Sequence, residues 1–220
     1  ALVALAGESL SNAYGRRLAR FRYGNAVAKV DYALDGPVPW ASPELAGAGT
    51  LHLGGPRAEI AASEHEVKSG RLPESPYVLV SQPSVLDPSR APTGKQVVWA
   101  YTHVPPGSTA DREAVITAQI ERFAPGFRDR VLATTTSTAV DVELHNPNYI
   151  GGDIAAGDAS FAQLVARPTL IDPWTIPIRG FYLCSGSTAP GPGVHGMGGY
   201  NAAKRALARE FGVRDLPALG

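Results

Sequence analysis

Residues 181–199 have the sequence FYLCSGSTAPGPGVHGMGG and lead directly into YNAAKRALAREF at residues 200–211. The first four residues are apolar or aromatic, which predicts a short buried strand that holds Cys184 as a small buried hydrophobic residue. Glycine and proline dominate the following residues, so this segment predicts a turn. The last segment has apolar residues at the spacing of one helix face: Tyr200, Ala203, Leu207 and Phe211. The predicted order is strand, glycine-rich turn, helix.

The turn contains a G-x-G-x-x-G pattern at Gly191, Gly193 and Gly196. A dinucleotide-binding fingerprint also needs a tight turn and a second parallel strand with an acidic residue about 20 positions on, and neither follows Cys184 here. The helix start would still offer unpaired N–H groups to an anion or a carbonyl oxygen, and glycines let a planar ligand approach closely. A flavin suits such a place. A turn without a ligand explains the same residues, and both interpretations stay open.

Upstream of this unit the chain predicts a sheet with helices. Residues 26–34 alternate between apolar and polar and predict a half-buried strand that stops at Gly36-Pro37. Further strands are predicted at about 49–53, 77–82 and 97–104, and helices at 1–22, about 56–69 and before Pro125. Residues 131–144 are predicted to be extended, with Val140, Val142 and Leu144 on one face, and 146–160 to be an ordered loop.

The composition and charge of the chain argue against several classes of function. The 220 residues carry 20 basic and 20 acidic side chains, so nothing predicts a nucleic-acid or anionic-membrane partner. Four arginines at 16, 17, 20 and 22 predict a solvated or partner-facing helix stripe, with phosphate binding as the alternative. Cys184 is the only cysteine, which suits a reducing cytoplasm. No apolar run reaches the length of a membrane span, and no hydrolase motif or metal-ligand spacing occurs.

Residues 182–207, YLCSGSTAPGPGVHGMGGYNAAKRAL, resemble the closing FAD-contacting segment of the phytoene-desaturase-like branch of the flavin amine-oxidase superfamily. The family form is a strand, then G-x-S/T-x-P-G-x-G, then a helix. Four upstream segments resemble the phytoene dehydrogenase-related members of that branch: KVDYALDGPVPW (29–40), PSVLDPSRAP (83–92), AYTHVP (100–105) and NPNYIGGDI (146–154). The resemblance therefore covers most of the chain.

The resemblance implies an α+β or α/β fragment: a mostly antiparallel substrate-domain sheet with helices, plus the last strand and helix of a Rossmann-like FAD domain. Residues 1–24 would form a helical segment that leads into the substrate domain, and residues 25–128 would belong to that domain. Residues 129–220 would return to the FAD domain. The function implied is the C-terminal portion of a cytoplasmic FAD-dependent dehydrogenase or desaturase of an apolar substrate. Relatives carry their glycine fingerprint near the N-terminus, and none precedes a strand–helix unit in residues 1–180.

The resemblance also implies cofactor contacts. Gly186 and Ser187 fall where relatives contact the ribityl or pyrophosphate part of FAD, and Val194, His195, Gly196 and Met197 fall at the helix start beneath the flavin's pyrimidine edge. His195 could hold a proton, but a structural or flavin-positioning role is favoured. His103 is expected to be a satisfied core or interface residue. No residue stands out as a proton-transfer catalyst, as in enzymes whose cofactor carries the chemistry.

Three hypotheses follow. In the first, the chain needs a missing N-terminal FAD-domain half or a partner chain, is inactive alone, and the complete protein binds FAD. In the second, it is a non-enzymatic remnant that binds partners or forms a homo-oligomer. In the third, it is an unrelated α+β ligand-binding domain, which requires the 185–199 loop to face bulk solvent.

Overall fold

The computed structural model describes residues 2–214, which form two compact units. The sheet unit comprises residues 25–146, and the loop unit combines residues 2–24 with residues 147–214. The chain therefore leaves the loop unit after Gly24 and returns to it at Pro147.

The sheet unit is built on five strands, all paired antiparallel, in the order β2-β3-β4-β1-β5. The strands are β1 (Ala26–Leu34), β2 (Thr50–Leu53), β3 (Val78–Ser81), β4 (Gln96–Val104) and β5 (Val131–Ser137). β1 and β4 pair over their whole length, from Ala26 opposite Val104 to Leu34 opposite Gln96. The first four strands lie where the sequence predicts them, at 26–34, about 49–53, 77–82 and 97–104.

One face of the sheet carries the core. Alternate residues of β1 are buried, and they share an apolar cluster with alternate residues of β3 and β4. Helix α5 (Glu113–Phe123) adds Ile116 and Ile120, and the short helix α6 (Phe127–Arg130) adds Phe127, all fully buried. Helices α3 (Arg57–Lys68) and α4 (Pro83–Leu86) complete the regular structure between β2 and β4.

The segment 131–144 is only half extended. β5 ends at Ser137, and helix α7 (Ala139–His145) follows, so the predicted strand face of Val140, Val142 and Leu144 is wrong. A capping box begins the helix, because the Thr138 side chain accepts from the Asp141 N–H and the Asp141 carboxylate accepts from the Thr138 N–H.

Since β5 pairs with β1, residues 129–146 lie in the sheet unit, whereas the sequence prediction starts the returning domain at residue 129. The chain returns to the loop unit at Pro147. The assignment of the two units to a substrate domain and an FAD domain stays a prediction.

The loop unit contains four α-helices among its described residues: α1 (Leu2–Ala6), α2 (Asn12–Ala19), α8 (Phe161–Val165) and α9 (Met197–Glu210). Most of the rest is irregular. A small apolar cluster forms around Leu10, Tyr14 and Ile176.

The predicted strand at 181–184 is wrong. This segment makes a single bridge, between Tyr182 and Thr175, and the Leu183 N–H donates to the Trp174 carbonyl at 2.7 Å. Phe181 is 59% exposed and Cys184 is exposed, so Cys184 is not a buried hydrophobic residue either. An apolar run alone does not make a strand where no neighbouring strand accepts its ladder of hydrogen bonds.

Candidate functional site

A buried arginine organises the loop unit. Arg167 is 1% exposed, and its guanidinium donates only to backbone carbonyl oxygens. Nε donates to Gly186 at 2.8 Å, while Nη2 donates to Ala155 at 2.8 Å and to Ala156 at 3.0 Å. Nη1 reaches the Asp158 carbonyl at 3.2 Å. One side chain thereby ties the 155–158 loop to the glycine-rich turn that holds Gly186.

A buried carboxylate holds the same loop from the other side. Asp153 is 0% exposed and accepts three backbone N–H groups: Gly24 at 2.7 Å, Ala155 at 2.7 Å and Gly157 at 2.8 Å. Ala155 and Gly157 therefore donate their N–H groups to the anion and offer their carbonyls to the Arg167 cation. Such charge-assisted hydrogen bonds are stronger than neutral ones and fix the loop. We call Asp153 and Arg167 the loop clamp.

Gly157 is required at the centre of the clamp. Its φ is +138°, and a Cβ atom there would lie 2.5 Å from Cζ of Phe21 and 3.0 Å from Nη2 of Arg167. Both the backbone conformation and the space exclude a larger residue. Burial lowers the pKa of the Arg167 guanidinium, and the nearby carboxylates of Asp153 and Asp158 oppose that shift.

The clamped loop forms part of the wall of a cavity of about 690 Å³ that lies entirely within the loop unit. Its lining is apolar or aromatic at Leu2, Val3, Leu18, Phe21, Tyr23, Tyr149, Ile150, Ile154, Ala156, Pro168, Leu183 and Pro192, and neutral at Asn148, Ser185, Gly186, Ser187 and Gly193. No ionisable acid or base lines it apart from the tyrosines. Pockets with apolar walls and a few neutral polar groups are typical small-molecule sites.

The six predicted cofactor residues separate into two groups. Gly186 and Ser187 line this cavity, and Arg167 holds the Gly186 carbonyl. Val194, His195, Gly196 and Met197 lie on an exposed stretch that does not line it. Val194 is fully exposed and does not line the cavity.

His195 caps helix α9. The Met197 N–H donates to Nδ1 of His195 at 3.0 Å, which satisfies one of the unpaired N–H groups at the helix start. Gly196, at φ +63°, precedes the helix. In the same glycine-rich turn, Thr188 and Gly191 are buried, so the 185–199 segment only partly faces solvent.

Helix α9 is tied to the loops before it by polar contacts. Asp172 forms ion pairs with Arg205 at 3.1 Å and Arg209 at 3.2 Å, and the Tyr182 hydroxyl donates to Glu210 at 2.9 Å. The predicted apolar face of α9 is not its buried one: Tyr200 is 42% exposed and Phe211 is 73% exposed, while Ala202 is buried.

The outer face of the sheet carries a row of half-buried aromatic rings. Trp99 stacks on Tyr101 with 6.1 Å between ring centroids, and Tyr101 lies 6.1 Å from His103. Nδ1 of His103 contacts the two carboxylate oxygens of Glu64 at 2.9 and 3.0 Å. The sequence prediction that His103 is a satisfied residue agrees with this pairing.

Sequence reasoning missed the loop clamp. The partners of Arg167 and Asp153 are backbone groups, up to 129 positions away in the case of Gly24 and Asp153. The one available signal was the NPNYIGGDI segment, which ends one residue after Asp153. Over residues 2–214, no helix has the length and apolar character to cross a bilayer, and no group of three or more His, Cys, Asp or Glu residues could hold a metal ion.

Comparison with known proteins supplies the family. No protein-family model matches the chain. The rat "pyridine nucleotide-disulfide oxidoreductase domain-containing protein 2" is 32% identical over 218 residues, a match that covers 89% of this chain and 37% of the relative; the mouse protein of that name matches to the same extent. A 4,4'-diapolycopen-4-al dehydrogenase of Metabacillus indicus is 29% identical over 130 residues, covering 56% of this chain and 26% of that protein. The chain belongs to the phytoene-desaturase-like oxidoreductases. This confirms the family resemblance.

A solved oxidoreductase structure from Methanosarcina mazei is also similar, with 16% identity and a TM-score of 0.48 over 89% of this chain and 38% of that one. The chain spans 37% of the length of the rat and mouse relatives that it matches.

Proposed function

We propose that this chain is the C-terminal portion of an FAD-dependent oxidoreductase that dehydrogenates or desaturates an apolar substrate. In this proposal the loop unit forms part of the flavin site and the sheet unit contributes to the substrate domain. The observation that carries the proposal is the cavity beside the Gly186-Ser187 turn. It is formed by the motif that resembles the family's FAD-contacting segment and by the NPNYIGGDI segment.

The cavity suits the ring system of a flavin. Its volume of about 690 Å³ falls within the ordinary range for ligand pockets, roughly 300–1,000 Å³. Aromatic and aliphatic side chains such as Phe21, Tyr149 and Ile154 supply the apolar walls that a planar ring needs. Ser185 and Ser187 supply neutral hydroxyl groups at the wall beside Gly186.

The same lining does not suit the diphosphate of FAD. No arginine or lysine side chain faces this cavity, and diphosphates are held by cations or by clustered backbone N–H groups. We therefore assign the flavin ring, and not the diphosphate, to this cavity. The remaining cofactor contacts then lie outside this cavity.

When it is bound, the flavin supplies the hydride chemistry. The residues of this chain hold the site in shape. The loop clamp fixes Ala155, Ala156 and Gly157 against the turn at Gly186, so the cavity wall does not have to be ordered when the ligand arrives. The apolar lining excludes water from the ring. The apolar substrate is inferred from the family, one of whose members is named a 4,4'-diapolycopen-4-al dehydrogenase.

The experiment is a riboflavin titration of the purified chain, followed by the visible absorption band. Riboflavin has the ring system without phosphate, so it probes this cavity alone. Two variants at one position supply the matched comparison. Ser187→Phe fills the cavity, whereas Ser187→Ala keeps it open and removes only a hydroxyl.

We expect a saturable change in the flavin band with the native chain and with Ser187→Ala, and at least a tenfold weaker response with Ser187→Phe. Far-UV circular dichroism checks that each variant is folded. A response that is equal in all three chains, or absent from the native chain, rejects the flavin assignment.

A second candidate function is a non-enzymatic binding or dimerisation domain. It is favoured by the exposed apolar side chains of the loop unit, among them Phe161 at 84%, Ile171 at 84% and Phe211 at 73% exposed. Exposed apolar patches commonly mark interaction surfaces. This candidate expects a colourless protein that self-associates and shows no riboflavin response. Sedimentation velocity at several concentrations, combined with the titration above, separates the two functions.

A further inference from the structure

A second cavity of the loop unit is lined by three arginines. It encloses about 510 Å³ between the end of helix α2 and residues 162–171, and Arg17, Arg20 and Arg22 all line it. No acidic side chain lines it. We call this cavity the arginine groove. Phe21 and Pro168 line both the arginine groove and the apolar cavity, so the two share part of a wall.

The guanidinium groups of Arg17, Arg20 and Arg22 form no ion pair within the described part of the chain. Neither an ion pair nor a hydrogen bond from their side chains to another residue of 2–214 is present, whereas Arg167, Arg205 and Arg209 are all paired. Like charges that share a concave surface repel each other and raise the local concentration of anions. A bound anion would remove that repulsion.

Helix electrostatics explains only part of the cluster. Arg16 and Arg17 lie in the last turn of α2, where cations complement the negative end of the helix dipole. Arg20 is the C-cap residue of α2 and is also close to that end, whereas Arg22 lies two residues beyond the cap and needs another explanation.

The backbone at Arg22 is fixed by a buried glutamine. The Arg22 N–H donates to Oε1 of Gln163 at 2.9 Å, and Nε2 of Gln163 donates to the Arg22 carbonyl at 2.7 Å. This pair of bonds joins the two walls of the groove, and Gln163 is itself buried. The backbone that carries Arg22 is therefore ordered before any ligand binds, which lowers the ordering cost of binding.

We propose that the arginine groove is a binding site for a phosphate-bearing small molecule. Planar guanidinium groups match the geometry of phosphate oxygens, and three of them suit a group with more than one negative charge. The margin of the groove is apolar, with Leu170 at 66% and Ile171 at 84% exposed beside Phe21. The ligand therefore carries an apolar or aromatic part next to its phosphate. This site is separate from the proposed flavin-ring cavity and does not depend on it.

Inorganic pyrophosphate is the first probe, measured by isothermal titration calorimetry at fixed ionic strength. The variants are Arg17→Gln, Arg20→Gln, Arg22→Gln and the triple combination. Arg16→Gln is the matched control, because Arg16 lies on the same helix and is exposed but does not line the groove. Circular dichroism shows whether each variant is folded, and the single variants decide the test if the triple variant is not.

We expect saturable binding to the native chain, a loss of about tenfold in affinity for each groove arginine removed, and less than about a twofold loss for Arg16→Gln. Absence of binding to the native chain overturns the proposal. So does an Arg16→Gln loss as large as that of Arg20→Gln, because a general positive field would then explain the binding.

Two further probes identify the source of the phosphate. ADP carries a diphosphate on an aromatic body, and dihexanoyl phosphatidic acid carries a phosphate on an acyl body; dihexanoyl phosphatidylcholine is the control without net charge. Whichever of ADP and dihexanoyl phosphatidic acid binds more tightly identifies the class of ligand that the groove binds. The phosphate of phosphatidylcholine is esterified to choline and the lipid has no net charge, so equal binding of this control would contradict recognition of a phosphate group by its negative charge. None of these probes contains a flavin, so their outcome is independent of the riboflavin titration.

Discussion

Residues 25–146 bury a continuous apolar cluster against one face of a sheet, whereas residues 2–24 and 147–214 bury a guanidinium and a carboxylate among backbone groups. Most of the exposed large apolar side chains also lie in this second, loop unit. The sheet unit is stabilised mainly by removal of apolar surface from water. The loop unit depends on a few charge-assisted hydrogen bonds around one loop. The difference indicates that apolar packing decides the stability of the sheet unit, whereas polar contacts fix the wall of the cavity in the loop unit.

The largest effect is expected in the core of the sheet unit. Phe127 is 0% exposed and meets the ring of Tyr32 edge-on at 5.1 Å. Phe127→Ala should lower the free energy of unfolding by about 3–5 kcal/mol, because it removes buried apolar surface and leaves a cavity. Urea denaturation measures this. Leu132→Ala, at a position that is 58% exposed, is the control and should change stability by less than about 0.5 kcal/mol. Equal losses for both would contradict a closed core.

The loop clamp should respond differently. Arg167→Lys keeps the positive charge but cannot donate to carbonyls on both the 155–158 loop and Gly186, so some of them stay buried without a partner. We expect a loss of about 3 kcal/mol in the local stability of the loop. Hydrogen-exchange mass spectrometry should show faster exchange at residues 153–158 and unchanged exchange in β1 and β4. Equally faster exchange in both units would contradict the conclusion that the loop clamp stabilises the loop unit and not the sheet unit.

Alkaline pH tests the sheet unit in another way. Burial raises the pKa of Tyr32 to about 12, and its hydroxyl lies 3.0 Å from the Thr117 hydroxyl. The unfolded chain releases this proton near pH 10, so the stabilisation is complete below pH 10 and is lost as the pH rises through 12. Tyr32 should therefore contribute a loss of about 2 kcal/mol between pH 10 and 12.

Unfolding measured over this pH range for the native chain and for Tyr32→Phe isolates that contribution. The variant should lose less stability on alkalinisation, whatever its stability at pH 7. Parallel curves for the two chains would contradict a buried neutral Tyr32.

The smallest effect is expected at the exposed apolar surface of the loop unit. Phe161 is 84% exposed, so Phe161→Ser should change the free energy of unfolding by less than about 0.5 kcal/mol. If this surface contacts a second copy of the chain, the same change should reduce self-association in sedimentation velocity. Association that is unaffected by Phe161→Ser and also by Ile171→Ser would exclude this surface as the contact.

The difference between the sheet unit and the loop unit also explains which parts of the structure the sequence predicts. Strict alternation at residues 26–34 predicts β1 because one face of that strand is buried. Residues 139–145 also alternate, but the T-x-x-D pattern of Thr138 and Asp141 begins a helix there, and that local signal was overlooked. The sheet unit follows patterns that are local in the chain.

The loop unit does not follow local patterns. Arg167 and Asp153 bind backbone groups, which every residue has, so no side-chain motif marks the partners. The apolar run at 181–184 lacks a partner strand, and its side chains are partly exposed. The family motif nevertheless led to Gly186 and Ser187 at the cavity wall, although it did not separate them from the exposed residues 194–197.

The most direct test of this account is to map the flavin site by NMR, with ¹H–¹⁵N spectra of the chain recorded during a riboflavin titration. Saturable shifts confined to the loop unit, at Ile154, Ala156, Gly186 and Ser187, are the result that the account predicts. Shifts centred on the aromatic row of the sheet at Trp99 and Tyr101, or no shifts at saturating riboflavin, would contradict the assignment of the flavin ring to the loop unit.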